Sequence, residues 1–480
     1  MSNPRKALAW SFAERYLSLL ITIASTFILA RILTPTQIGI FSMCAAITAV
    51  AGILRDFGVS EYLIQEKDLT RDKLRAALGV ALLVAWFIGA FVFISRNLVA
   101  SYYGEGGIAE VLAVLSLNFL LLPFASPSFA LLSRDMAFRK IFAVQTVSNT
   151  VQSVTAVLLA YKGFGYMSLA WAPVASIVTQ TIMLAFLRPD GTLLLPSLTG
   201  AYAVLRYGSM FAASRVIETF ARNAHEFILA RQFGFASVGL FSRAFGLMEL
   251  FYNNIASAIL RVATPSFASD HRGGLQLAIA YARGTAIFTA IAWPFFGFVA
   301  LMSVDIIRVL FGPQWDAAAP IATILALTVM PAYLCALGPS LLAATGRVKT
   351  RLKISLIFSP VHLVAVFLAS FISLNAVAAV WFITNLLMLG LYVYHLRHIL
   401  KATVRELFLP SLSSFFVACA PVMVQAVALA ECQKLDVPSW SLLVLVANGG
   451  AVFWLLSVWA FKHPVYEEIQ RLIRRGGSAH

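Results

Sequence analysis

Apolar residues run along this chain in long, nearly unbroken stretches separated by short polar or basic connections. Fourteen such stretches occur, from Leu8–Leu33 and Ile38–Leu54 at one end to Leu407–Leu429 and Ser441–Phe461 at the other. Each is close to the ~20 residues that a helix needs to cross a bilayer. The pattern predicts an all-α integral membrane protein with about fourteen transmembrane helices. The first stretch lacks the short apolar core and small-residue cleavage site of a secretory signal, and Glu14 and Arg15 lie inside it. It is therefore expected to remain as a helix. No connection is long enough for a soluble domain, the largest running from about Arg55 to Arg75.

The apolar pattern also repeats. FILARILTPTQIGIFS, Phe27 to Ser42, returns two hundred residues later as FILARQFGFASVGLFS, Phe227 to Ser242, with eight of sixteen positions identical and no gap. Self-similarity at a fixed offset marks a duplicated structural unit. The fourteen spans then resolve as six, six and two: residues 1–200, 201–400, and 401–480 carrying helices thirteen and fourteen with a tail. Six is even, so both copies enter the membrane from the same side. Parallel repeats related by an axis along the membrane normal are one standard architecture of transporters.

Composition agrees: 60% of residues are hydrophobic and 12% charged, with mean hydropathy +0.85. The net charge of +15 raises a nucleic-acid reading, which the placement of the charge excludes. With the N-terminus assigned to the cytoplasm, 26 of the 36 Lys and Arg fall in cytoplasmic connections and six in outer ones. The other four, Arg15, Arg215, Arg222 and Arg243, lie within spans. Such asymmetry orients a membrane protein and puts both termini in the cytoplasm. The four cysteines stand singly, so neither a disulfide framework nor a metal site is expected. No cofactor is implied.

Prolines interrupt many spans, among them Pro123, Pro127, Pro173, Pro294, Pro331 and Pro339. In lipid a broken helix is tolerated where neighbours or cavity water satisfy the freed carbonyls. The tail, His463 to Arg475, places Val465, Ile469 and Leu472 at helical spacing beside basic residues. That spacing suggests a short helix lying on the inner membrane surface, or a solvated tail.

The most informative chemistry is in the seventh span, ASRVIETFARNAHEF. Arg215, Glu218, Arg222 and Glu226 fall within about 80° of one another on one helical face. An ionisable residue at the bilayer centre costs about 2.5–3.5 kcal/mol even on a lenient scale, so this stripe faces a bundle interior or a wet cavity. Arg15 and Arg215 occupy the same position of the duplicated unit. Two guanidiniums opposed across a cavity, with Arg222 deeper, suit a diphosphate, which arginine binds bidentately. Arg243 is a further candidate. The same stripe also reads as self-satisfied ion pairs, Arg215–Glu218 and Arg222–Glu226. Glu14, Glu218, Glu226 and Glu249 form a third possibility, as ion-coupling sites. His225, about 100° around the helix from Glu226, is expected to pack. Asn118, Asn149, Asn253 and Asn385 are candidates for interhelical hydrogen bonds.

At these residues the chain resembles the polysaccharide transporters of the multidrug/oligosaccharidyl-lipid/polysaccharide exporter superfamily, most closely its colanic-acid-exporter branch. The resemblance rests on LARILTPTQIGIFS, RDFGVSEYLIQEKDLT (Arg55 to Thr70), LSRDMAFRKI (Leu132 to Ile141), RVLFGPQWDAAAPI (Arg308 to Ile321) and KHPVYEEIQRLI (Lys462 to Ile473). It implies two six-helix lobes around a central cavity, with two more helices outside. It also implies that the chain flips an undecaprenyl-diphosphate-linked oligosaccharide across the bacterial inner membrane by alternating access, for exopolysaccharide, capsule or O-antigen-type assembly. Membrane lipid is then a contact on every side, and a polysaccharide polymerase and a chain-length regulator are candidate partners. Cavity cations would be Arg15, Arg215, Arg222 and Arg243. The alternative is a cation-coupled multidrug-type antiporter of the same superfamily. An enzyme is disfavoured, because the outer connections are short and hold few reactive candidates, Glu105, Glu110, Asp316, Glu431 and Asp436.

Overall fold

The computed structural model describes residues 4–56, 59, 63, 70–187, 196–272, 276–434, 438–468 and 470. Side chains of 4–15, 56, 202–215, 217–218 and 432–434 lie outside the description. Every regular element among the described residues is helical. In order these are α1 (Pro4–Ile32), α2 (Pro35–Asp56), α3 (Arg71–Tyr103), α4 (Gly107–Arg134), α5 (Phe138–Tyr161), α6 (Tyr166–Leu187) and α7 (Ala201–Phe251). There follow α8 (Ser257–Arg272), α9 (Leu277–Phe311), α10 (Ala319–Val329), α11 (Gly338–Ala344), α12 (Val348–Ala369), α13 (Leu374–Leu400), α14 (Val404–Lys434) and α15 (Ser439–Ala460).

Ten described segments are long and apolar enough to cross a membrane. The other four expected spans fall on α1, α5 and the two limbs of α7. That helix is bent at Gly234, whose φ of 77° and ψ of 174° suit a residue without a Cβ. Its second limb runs into a π-helical turn, Tyr252–Ala256, and then into α8.

The chain divides into two compact units, Met1–Gly239 and Leu240–His480. The repeat divides it at 200 and the packing at 239, because the first limb of α7 is held by the first unit. In that unit α3 packs on α4, α5 on α1 and α6, and α2 on α3, α4 and α6. The turn between α1 and α2 is set by a reciprocal cap. Gln37 N–H donates to Thr34 Oγ1 at 3.3 Å, and Thr34 N–H to Gln37 Oε1 at 3.1 Å.

In the second unit α9 packs on α14 and α15, and α10 on α13. The span between Pro313 and Ala344 is broken by a 3-10 turn at Met330–Leu334, where Pro331 supplies no N–H. Neighbours serve the carbonyls around the break. Asn385 Nδ2 donates to Thr328 O (2.9 Å), Trp293 Nε1 to Met330 O (3.1 Å) and Tyr281 Oη to Leu334 O (3.3 Å). This is the tolerance condition for a broken membrane helix, met by side chains of adjacent helices.

The tail differs from the expected surface helix. Val465 is buried against Ala290, Val417 and Val458, and Arg283 bonds Glu467 (2.7 Å) and Glu468 (3.2 Å). His463 Nε2–H donates to Ser414 Oγ at 3.0 Å, and His463 Nδ1 accepts from Val465 N–H at 3.3 Å. The described part of the tail therefore docks on the bundle. Periodicity signalled one apolar face but not what would cover it. Ile469 and Leu472 lie outside the described side chains.

Candidate functional site

The charged stripe maps onto the first limb of α7, which is helical throughout, as the spacing requires. The side chains of Arg215 and Glu218, and of Glu14 and Arg15 on α1, lie outside the described part of the structure. The two described members face different surroundings. Arg222 is exposed, whereas Glu226 is buried. Arg222 lies twelve residues before the Gly234 bend, roughly 18 Å at helical rise. That is near the middle of a hydrocarbon layer of about 30 Å. A guanidinium at that depth needs polar partners, since acyl chains offer its donors nothing.

Glu226 stands beside His225, with Nε2 and Oε1 3.7 Å apart. Its Oε2 makes no hydrogen bond among the described residues. His225 is buried, as expected of a packing residue. Beside the stripe, Phe220 and Phe227 stack at 5.9 Å, and Asn223 Nδ2 donates to Thr219 O at 2.8 Å.

Arg243 has a setting that its charge alone did not suggest. Its guanidinium lies 5.4 Å from both the Phe311 and the Trp315 ring centroids, and its Nε makes no hydrogen bond among the described residues. Arg243 thus lies against both rings, whose own centroids are 6.5 Å apart, and this cation–π contact ties the end of α9 to α7. The signal was present in RVLFGPQW, where two aromatics flank the connection after α9. Glu249 accepts from Asn253 Nδ2 at 3.1 Å, at the start of the π turn. Phe251 next to it packs on Phe295, Phe296 and Tyr333, so the π turn and the broken span meet. Both departures from regular helix thus share one place in the second unit.

The expected polar glue is realised in part. Asn149 Nδ2 donates to Ser18 Oγ at 3.0 Å, joining α5 to α1, and Asn385 joins α13 to the broken span. Asn253 bonds within its own helix, and the buried Asn118 Oδ1 has no partner among the described residues. Three carboxylates of the outer connections have structural engagements. Asp316 takes a bidentate grip from Arg308, Glu110 accepts from Tyr166 Oη, and Glu105 caps Gly107 N–H. Among the described residues no group of three or more His, Cys, Asp or Glu is placed to hold a metal ion.

The family described as "Polysaccharide biosynthesis protein" matches residues 28–320. The chain is 23% identical over 327 residues to the lipopolysaccharide biosynthesis protein WzxC of Escherichia coli (strain K12), covering 66% of this chain and 65% of that one. It is 28% identical over 323 residues to the succinoglycan biosynthesis transport protein ExoT of Rhizobium meliloti (strain 1021), covering 63% and 61%. The aligned portion thus spans a little under two thirds of the length of these relatives. Among solved structures, the lipid II flippase MurJ superposes with a TM-score of 0.75 at 11% identity, over 96% of this chain and 99% of that one. An inward-facing multidrug resistance transporter of the MATE family superposes at 0.64, with 14% identity over 80% and 94%. At these identities the likeness is one of fold.

Proposed function

The chain belongs to the polysaccharide biosynthesis protein family, and on that premise we propose that it translocates a lipid-linked oligosaccharide, carried on undecaprenyl diphosphate, across the bacterial inner membrane. The observation that carries the reading is Arg222, an exposed arginine twelve residues before the Gly234 bend, on the limb of α7 that bears the charged stripe. A sugar diphosphate cannot enter hydrocarbon unaided, since its charges and hydroxyls would lose water without replacement. A wet path lined by arginine supplies that replacement, while the polyprenyl tail stays in lipid. Arg222 contacts the diphosphate, joined by Arg15 and Arg215 at matching positions of the two repeats. No covalent bond changes in this step.

Arg222→Ala and Arg215→Ala abolish polysaccharide export while the protein remains in the membrane at normal level. Normal export from both variants removes the diphosphate clamp. A strain lacking the gene accumulates the complete lipid-linked repeat unit, read by mass spectrometry of extracted lipid, in a form protected from external glycosidase. Both termini are cytoplasmic in this reading, so a cysteine replacing Lys349 is labelled from the cytoplasm only.

A second reading, cation-coupled antiport, draws on Glu226, buried with one carboxylate oxygen lacking a hydrogen-bond partner among the described residues. Glu226→Gln abolishes transport under that reading. It leaves transport intact where Glu226 only packs against His225.

A further inference from the structure

The last described span, α15, has two faces of different character. Its inner face is buried at Leu442, Val446, Gly450, Ser457 and Val458 and lies on α14 and α9. The outer face carries Leu445, Asn448, Val452, Leu455 and Trp459, all exposed on this protein. Successive members stand three, four, three and four residues apart, so they form one seam within about 80° around the helix. That is the heptad spacing by which two helices wind together.

Four members of the seam are apolar, as lipid requires, and Asn448 is not. It is the tenth of the 22 residues of α15, roughly 14 Å from the helix start at helical rise. A hydrocarbon layer of about 30 Å has its middle near that depth. Asn448 Nδ2 donates to Val444 O at 2.7 Å, one turn back in the same helix. Its second N–H and its carbonyl oxygen make no further hydrogen bond among the described residues. Acyl chains offer neither donor nor acceptor, whereas a neighbouring helix can supply both. The residues that flank the seam here are small, Ala447, Gly449 and Ala451, and Gly449 has open space where a Cβ would stand. A second helix can therefore approach closely.

The chemistry selects the occupant. An asparagine side chain both donates and accepts, so it is complementary to itself. Two copies of this chain in one membrane run α15 in the same direction and hold Asn448 at the same depth. A two-fold axis along the membrane normal then brings the two amides face to face. One asparagine on an otherwise apolar heptad seam also fixes the register, because any slip sets both amides against apolar side chains. We propose that α15 is the interface of a parallel homodimer, zipped along Leu445, Asn448, Val452, Leu455 and Trp459 about an Asn448–Asn448 hydrogen bond. The pairing goes beyond the translocation reading and does not depend on what is transported.

The test uses the full-length protein in its membrane, with the four native cysteines replaced by serine and single cysteines introduced along α15. Under mild oxidation, cysteines replacing Leu445, Val452 and Leu455 should each give a species of twice the monomer mass that disappears on reduction. Phe453 is also exposed but lies about 140° from Asn448 around the helix, so a cysteine there should give none. A linked dimer at all four positions alike, or at none, overturns the interface. An adduct of another mass puts a different protein on the seam and overturns the second copy. Added to the Val452→Cys variant, Asn448→Leu should lower the linked fraction several-fold, since leucine gains nothing by leaving lipid, and Asn448→Gln should retain most of it. An unchanged fraction with Asn448→Leu overturns the role of the amide. Should the serine background fail to reach the membrane, energy transfer between unmodified chains carrying donor and acceptor fluorophores at the C-terminus carries the test. Transfer no greater than to an unrelated membrane protein overturns the dimer. Neither readout uses export, so loss of the translocation reading would leave the dimer standing, and the reverse.

Discussion

The two copies of the repeat turn the chain at the same place by different means. In the first, α1 ends at Ile32 and α2 begins at Pro35, with Thr34 and Gln37 exchanging hydrogen bonds across the turn. In the second, two helical limbs meet at a kink. Gly234 takes a dihedral pair that other residues avoid, and Ser237 Oγ returns its proton to Phe233 O at 3.2 Å. None of the eight identities falls between residues 32 and 38, where the turn is made. They cover Phe27–Arg31 before it, then Gly39, Phe41 and Ser42 after it. Identity is kept at the close crossing of Gly39 and Gly239, where a Cβ on the one would fall on the Phe235 carbonyl and on the other on the Pro35 carbonyl, and lost where the chain changes direction. The turn can be made by hydrogen bonds or by a missing Cβ, whereas the close crossing has one solution.

That contrast can be broken at several points. Gly234→Val should have the largest effect on stability, about 1–3 kcal/mol, because its region of backbone space is essentially reserved for glycine. Thermal unfolding in detergent reads this. Thr34→Ala should cost about 1 kcal/mol through the lost cap, and Thr34→Gly only a few tenths. A Thr34→Ala loss equal to that of Gly234→Val would mean that both turns depend on the same thing. Asn385→Leu tests a third kind of break, the one served from a neighbouring helix. Such interhelical bonds average about 0.6 kcal/mol in membranes, so a small loss is expected.

The smallest effect concerns pH, and it separates hydrogen-bonded devices from conformational ones. His463 is buried in the docked tail, and burial pushes its pKa down to about 4. The docked tail therefore holds neutral histidine, while the released tail takes up a proton below the ordinary value of 6.5. Docking is complete above 6.5 and weakens as pH falls toward 4. Protease sensitivity of the tail should rise over that window, and the bend at Gly234 should not respond. A flat profile would mean that His463 does not report docking.

Much of this architecture was legible from the chain. Apolar lengths located the spans, because a bilayer imposes one length on every crossing helix. The offset repeat located the two glycines, though not their contact, since reciprocity is a property of packing. Pro331 marked the broken span, but Asn385, Trp293 and Tyr281 come from distant segments, and nothing local says which carbonyls they serve. Charge alone grouped Arg243 with Arg222. The structure separates them, because Phe311 and Trp315 lie about seventy residues further along and supply a surface that solvates a cation without water. The setting of Glu226 was equally hidden. Four charges on one stripe were expected to share one environment, yet its two described members differ, Arg222 exposed and Glu226 buried.

The docked tail bears on the order in which the protein can be made. Ser414 Oγ donates to Ala286 O, and Trp454 Nε1 to Ala290 O, so α14 and α15 close over a face of α9. Roughly a hundred residues are synthesised between α9 and α14, which at 5–20 residues per second leaves that face uncovered for about 5–20 s. For that interval α9 sits in the membrane against lipid or an insertion factor, with Arg283 still waiting for its glutamates. The second unit is therefore finished only after α14, α15 and the docked segment have left the ribosome. Truncations near the C-terminus should lower the amount of folded protein in the membrane before they touch any step of transport.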